Sequence, residues 1–173
     1  SEKPSNMSEA KTYTNEDYQY ILRYPSHLTL TPYTSEKAVL GVGSQGESSN
    51  EQVTITVLEA KTNAEKKLSV TDFIEKRVKL LCDASGGGVS VTCPEQKSLE
   101  PLSLASGLSA YTLTLERQER TIGPEASVET DEVLFFVVDI STEGNTQLVV
   151  IYPVGEGSSE VARTIAESVS RAK

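Results

Sequence analysis

The chain has 173 residues, 25 of them acidic and 16 Lys or Arg, for a formal charge of −9. That length suits one domain with a sizeable core, and a composition of 37% hydrophobic and 24% charged residues excludes both a disordered chain and a membrane bundle. The acidic balance argues against nucleic-acid binding, which needs clustered Lys and Arg, while one His, two Cys and no Trp leave little material for metal or nucleophile chemistry.

The segment Ser1–Lys11 (SEKPSNMSEAK) is polar and without apolar period, and it reads as a flexible tether ahead of a single domain over residues 12–173. A first residue other than Met fits a leader removed upstream, and the tether would suit attachment to a lipidated cysteine. Asn6-Met7-Ser8 also matches a glycosylation sequon.

Tyr18–Tyr24 is rich in aromatic and branched residues and stops at Pro25, which predicts a strand. Ala38–Val42 is a short strand candidate. Gly41 to Gly46 matches G-x-G-x-x-G, but a dinucleotide site needs a helix opening on the third glycine, and here Glu47–Asn50 lead into another strand. A turn is the reading. In Gln52–Leu58, Val53, Ile55 and Val57 alternate with Thr54 and Thr56, the pattern of a half-buried strand.

Ser69 precedes Val70, Phe73, Ile74, Val78 and Leu81, which share one helical face. Ser69 is placed to cap, with Asp72 completing a variant capping box and Leu68 stapling onto Phe73. This helix is expected to end near Cys82–Asp83. Ten residues separate Cys82 from Cys93, and Gly86-Gly87-Gly88 lets the chain reverse between them. Two cysteines so close in sequence favour a Cys82–Cys93 disulfide, and hence an oxidising compartment; the alternative is two separate buried thiols in a cytosolic protein.

Further strands are expected at Leu102–Ala105 and Leu108–Gln118, then a loop over Arg120–Asp131. Val133–Ile140 and Gln147–Pro153 are apolar on both faces and so need cover on both. Gly144-Asn145 between them predicts a tight antiparallel reversal. A final helix over Ser158–Ala172 presents Val161, Ile165, Val169 and Ala172 on one face, with a Glu167–Arg171 pair at i,i+4. The expected fold is α+β: a three-layer sandwich, with a central antiparallel sheet covered by helices on both faces.

Catalytic constellations are thin. Gly107-Leu108-Ser109-Ala110-Tyr111 lacks the closing glycine of a nucleophile elbow and enters a strand. His27, the sole His, sits in a turn. No Lys or Arg lies between Arg120 and Arg163, an interval with eight carboxylates. This stretch reads first as a solubilising surface on two very apolar strands; the functional alternative makes Glu125, Glu129, Asp131 and Glu132 a docking face for a basic partner or a weak Ca²⁺ or Mn²⁺ site.

The stretch from Tyr13 to Leu28, with Asn15, Tyr18, Tyr20, Tyr24 and Pro25, resembles the opening strand of PsbP-like domains. The order of helices fits the same family, although its usual Trp is Leu28 here. The resemblance implies an antiparallel sheet between helices. Relatives include an extrinsic photosystem II subunit, bacterial lipoproteins and a cytosolic Ran-binding import factor, so it also implies a non-enzymatic binding or accessory role, with no functional residue carried over. The leading expectation is a secreted or lipid-anchored domain that binds a protein partner outside the cytoplasm, such as a membrane complex, without a cofactor. The alternatives are a cytosolic acidic adaptor for a basic protein and a carrier of a small ligand or divalent ion.

Overall fold

A computed structural model describes residues 9–42, 52–154 and 158–172. The sequon, most of the tether, Gly43–Gly46 of the glycine pattern and Glu156 lie outside them.

The chain is mostly sheet. Strands β1 (Lys11–Asn15), β2 (Tyr20–Tyr24), β3 (Leu28–Thr34), β4 (Lys37–Val42) and β5 (Gln52–Glu59) come first. Helices α1 (Asn63–Lys66) and α2 (Val70–Arg77) and a 3-10 turn (Lys79–Leu81) follow. Strands β6 (Ala84–Gly86), β7 (Val89–Leu102), β8 (Ala110–Thr121), β9 (Val128–Asp139) and β10 (Gln147–Val154) lead to α3 (Ser159–Glu167) and a short β11 (Ser170–Arg171). Eight strands form one sheet in the order β3-β4-β5-β10-β9-β8-β7-β6, and all its recorded pairings are antiparallel. A second sheet has the order β1-β2-β11.

The two strands that are apolar on both faces sit at the centre, as their pattern requires. Phe136, Val138, Val149 and Ile151 join a core with Val53, Ile55 and Val57 of β5, Tyr20 and Leu22 of β2, and Ala162, Ile165 and Ala166 of α3. The opposite side chains, Phe135, Val137, Leu148 and Val150, join Phe73, Ile74 and Val78 with Leu113 and Leu115 of β8. The expected symmetry of helical layers does not carry over. Among the described residues the first face has α3 together with the small sheet, whereas the second has only the eight-residue α2 and its 3-10 turn.

Local chemistry accounts for most boundaries. The Ser69 hydroxyl accepts a hydrogen bond from the Asp72 amide at 3.1 Å, capping α2. A complete capping box lies one turn earlier, where Thr62 and Glu65 exchange bonds around α1. Gly87 and Gly88, with φ of +59° and +82°, form a two-residue turn between the paired Gly86 and Val89. Gly144, at φ +75°, closes the β9–β10 reversal through the Thr142–Asn145 bridge.

Several expectations are corrected. The predicted loop over Arg120–Asp131 is mostly strand: Arg120 pairs with Val128, leaving only a short turn between β8 and β9. The last helix ends at Glu167, with Ser168 as its C-cap, well before Ala172. The Ser168 hydroxyl donates to the carbonyls of Ile165 and Arg23 and accepts from the Arg23 amide, which draws the chain out of the helix. Ser170 then pairs with Ile21 in β2. Glu167 therefore meets Arg163 at 3.3 Å instead of Arg171, whose guanidinium donates to the carbonyls of Ile140 and Ser141.

Glu59 ties the β9–β10 reversal to β5. Its carboxylate accepts from Asn145 Nδ2 at 3.0 Å and Gln147 Nε2 at 2.9 Å, and these bonds hold its pKa below the usual carboxylate range. A depressed folded-state pKa contributes stability above the unfolded value, lost as pH falls through the folded one. Glu59→Ala is expected to remove about 1.5 kcal/mol of stability at neutral pH. The gap from wild type should narrow once pH drops below about 4.3. Urea melts of both proteins at neutral and acid pH check this; a gap that does not change with pH would contradict it.

Candidate functional site

The acidic stretch lies on the β8–β9 hairpin. Residues 116–132 hold six carboxylates and two arginines, a local net charge of −4. Glu125 lies in the turn, and Glu129, Asp131 and Glu132 lie on β9; all four are exposed. Strand alternation parts them. Asp131 and Glu129 share the face of Phe135, while Glu132 shares that of Phe136. Register sets Asp131 opposite Arg117, which donates to Asp131 at 3.3 Å and to Glu119 at 2.9 Å. On the other face Lys97 reaches Glu116 at 3.2 Å; that hydrogen bond, with the charges of Glu116, Glu95 and Glu132, raises its pKa. Among the described residues no three Asp, Glu, His or Cys side chains converge as a metal site would require.

The structure adds a feature that composition alone did not reveal. Strands β9 and β10 pair only from Leu148–Asp139 to Ile151–Phe136. Beyond that point β9 continues with β8, as far as Val128, and β10 continues with β5, as far as Val154. The sheet forks. At its apex Phe135 and Tyr152 meet with ring centroids 5.0 Å apart. Tyr152 is opposite Thr54 in register; burial pushes its phenol up, opposed by a hydrogen bond with Thr54. An open cleft of about 640 Å³ occupies the fork, lined among others by Val133, Tyr152 and Val154, by Arg117, Asp131 and Glu132, and by Leu81 and Cys82 beside α2.

Cys82 and Cys93 stand at disulfide distance, with Cα atoms 6.0 Å apart. Cys93 is buried against the second core and Cys82 is half-buried at the cleft wall. The remaining candidates are scattered: His27 is exposed in the β2–β3 turn, and Ser109 is exposed just before β8. No helix among the described residues is long and apolar enough to cross a membrane.

No family model matches the chain, and no curated protein matches it by sequence. Solved structures do. Cyanobacterial PsbP (CyanoP) from Synechocystis sp. PCC 6803 superposes with a TM-score of 0.54 at 19% identity, covering 94% of this chain and 92% of its own. The Ran-binding protein Mog1p of Saccharomyces cerevisiae gives 0.48 at 8% identity, over 95% and 96% of the two chains. The first match covers 94% of the chain, so the likeness suggested by the Tyr13–Leu28 segment extends well beyond that segment: the fold is PsbP-like.

Proposed function

We propose that the chain is a non-catalytic binding domain working outside the cytoplasm, secreted or held by a lipid, as an accessory to a membrane protein complex. The observation that carries the compartment is the cysteine pair: two thiols eleven positions apart, brought to 6.0 Å between Cα atoms by the β6–β7 turn. Such a pair closes spontaneously where oxidants are present. The binding role draws on the fold it shares with CyanoP and on the open, charged fork.

Alkylating the protein from its native cells, with and without prior reduction, tests the compartment. Intact mass should show both thiols blocked only after reduction. Two freely reactive thiols would overturn the extracytoplasmic reading and favour the cytosolic adaptor, whose binding to a basic protein would weaken with salt and with charge reversal at Glu129, Asp131 and Glu132.

A further inference from the structure

We infer that the fork is a strand-addition site: the open edge of β9 between Val128 and Leu134 receives an extended segment of a partner protein that alternates basic and apolar residues. This rests on reading the chain as a protein-binding domain and names where and how it would bind.

Backbone direction makes the edge. The Ile140 amide donates to Gln147 in β10, while the Asp139 amide donates to Ser109 on the β8 side. Even-numbered residues of β9 therefore turn their amides and carbonyls toward β10. For Val138 and Phe136 those groups meet β10; for Leu134, Glu132 and Thr130 the ladder with β10 has ended. Among the described residues, β9 has a ladder partner only in β8 over this stretch. Seven residues of free edge extend about 23 Å, ample for a short added strand.

The sheet's outer edges are protected and this one is not. Edge strand β3 carries Pro32 and a register shift between Pro32 and Thr34. The other edge, β6, has three residues. Between Val128 and Leu134 there is no proline and no register break.

Chemistry selects the occupant. Val133, Tyr152 and Val154 offer apolar contact, with Val154 41% exposed. Asp131 and Glu132 line the cleft beside Arg117, and the hairpin carries a net charge of −4. A strand added here with its apolar residues on the Phe135 face, against Val133, Tyr152 and Val154, would set its Lys or Arg side chains on the other face beside Glu132, where opposite charges on adjacent strands attract and like charges repel. A second copy of this chain, at −9 overall, would bring its own acidic β9 against this one.

The test uses the whole chain and a probe peptide of alternating Lys and Val, with a Glu and Val peptide as control. Hydrogen exchange should show the amides of Thr130, Glu132 and Leu134 fast in the free protein and at least tenfold slower with the Lys peptide, with no change for the control. Thr130→Pro removes one outward amide while sparing the β8 ladder, and should weaken binding at least tenfold. Should that variant misfold, Asp131→Lys with Glu132→Lys should give a similar loss. Slow exchange at these three amides in the free protein would overturn the inference. So would peptide binding that leaves them fast, although the chain would then still be a binding domain. Absence of any binding by the Lys peptide would also overturn it, and cross-linking the full chain to its neighbours in native membranes would then judge the binding role separately.

Discussion

Changing Phe73 to Ala is expected to lower the unfolding free energy by about 3–5 kcal/mol, the range for a large side chain removed from a closed core. Phe73 is fully buried and shares its cluster with Ile74, Val78, Leu113, Phe135 and Val150. Arg77 lies over its ring at 5.5 Å and also pairs with Glu65 at 2.8 Å, so the aromatic ring organises the polar cover of α2 as well as its apolar face. A helix of eight residues has little stability of its own and depends on this contact. The 3-10 turn that follows it supplies the Leu81 and Cys82 wall of the fork, so the cleft should loosen together with α2. Urea melts compared with Leu80→Ala, at a side chain of 57% exposure, provide the check. The exposed site should change stability by less than about 0.5 kcal/mol. A Phe73→Ala loss below about 1.5 kcal/mol would mean that α2 is not anchored as described.

Opening the Cys82–Cys93 link should rank second. Joining residues eleven apart restricts the unfolded chain by about 3 kcal/mol on the loop-entropy model. The double change Cys82→Ser with Cys93→Ala should show that loss, and wild type melted with reductant should approach it. Cys93 is buried in the second core, so the variant also loses a little packing there. A reductant that leaves the wild-type melting curve where it was would show that no bridge supports the fold.

How much of this was legible depends on how each strand is buried. Val133–Ile140 and Gln147–Pro153 announced themselves because both faces are apolar, and β5 because its valines and isoleucine alternate with threonines. The longest strand, β7, was not visible. Its Pro94 and Pro101 have no amide to give a ladder, and its register shifts twice, between Thr92 and Glu95 and between Gln96 and Ser98. Each shift resets the alternation on which strand recognition rests. β1 and β3 are mostly exposed, so no apolar period marks them. The last helix was overextended because Val169 continues the apolar face, while the hydrogen bonds that end it come from Arg23, far away in sequence. The Thr62–Glu65 capping box follows the S/T-x-x-E spacing and so is legible in the sequence. The acidic hairpin was visible as composition, but its ion pairs and the fork depend on register between strands, which a single sequence does not encode locally.

The small sheet has a bearing on how the chain acquires its shape. Its middle strand, β2, pairs on one side with β1, the segment immediately before it, and on the other with Ser170 and Arg171. A nascent chain can close the first hairpin early, but the third strand comes only after every other described strand of the domain. Ladders that join distant stretches, here Ile21 with Ser170 and Val57 with Val149, must await slow loop closure. Completion of the domain is therefore a late event on the folding path, and until then one flank of β2 is open to the wrong neighbour.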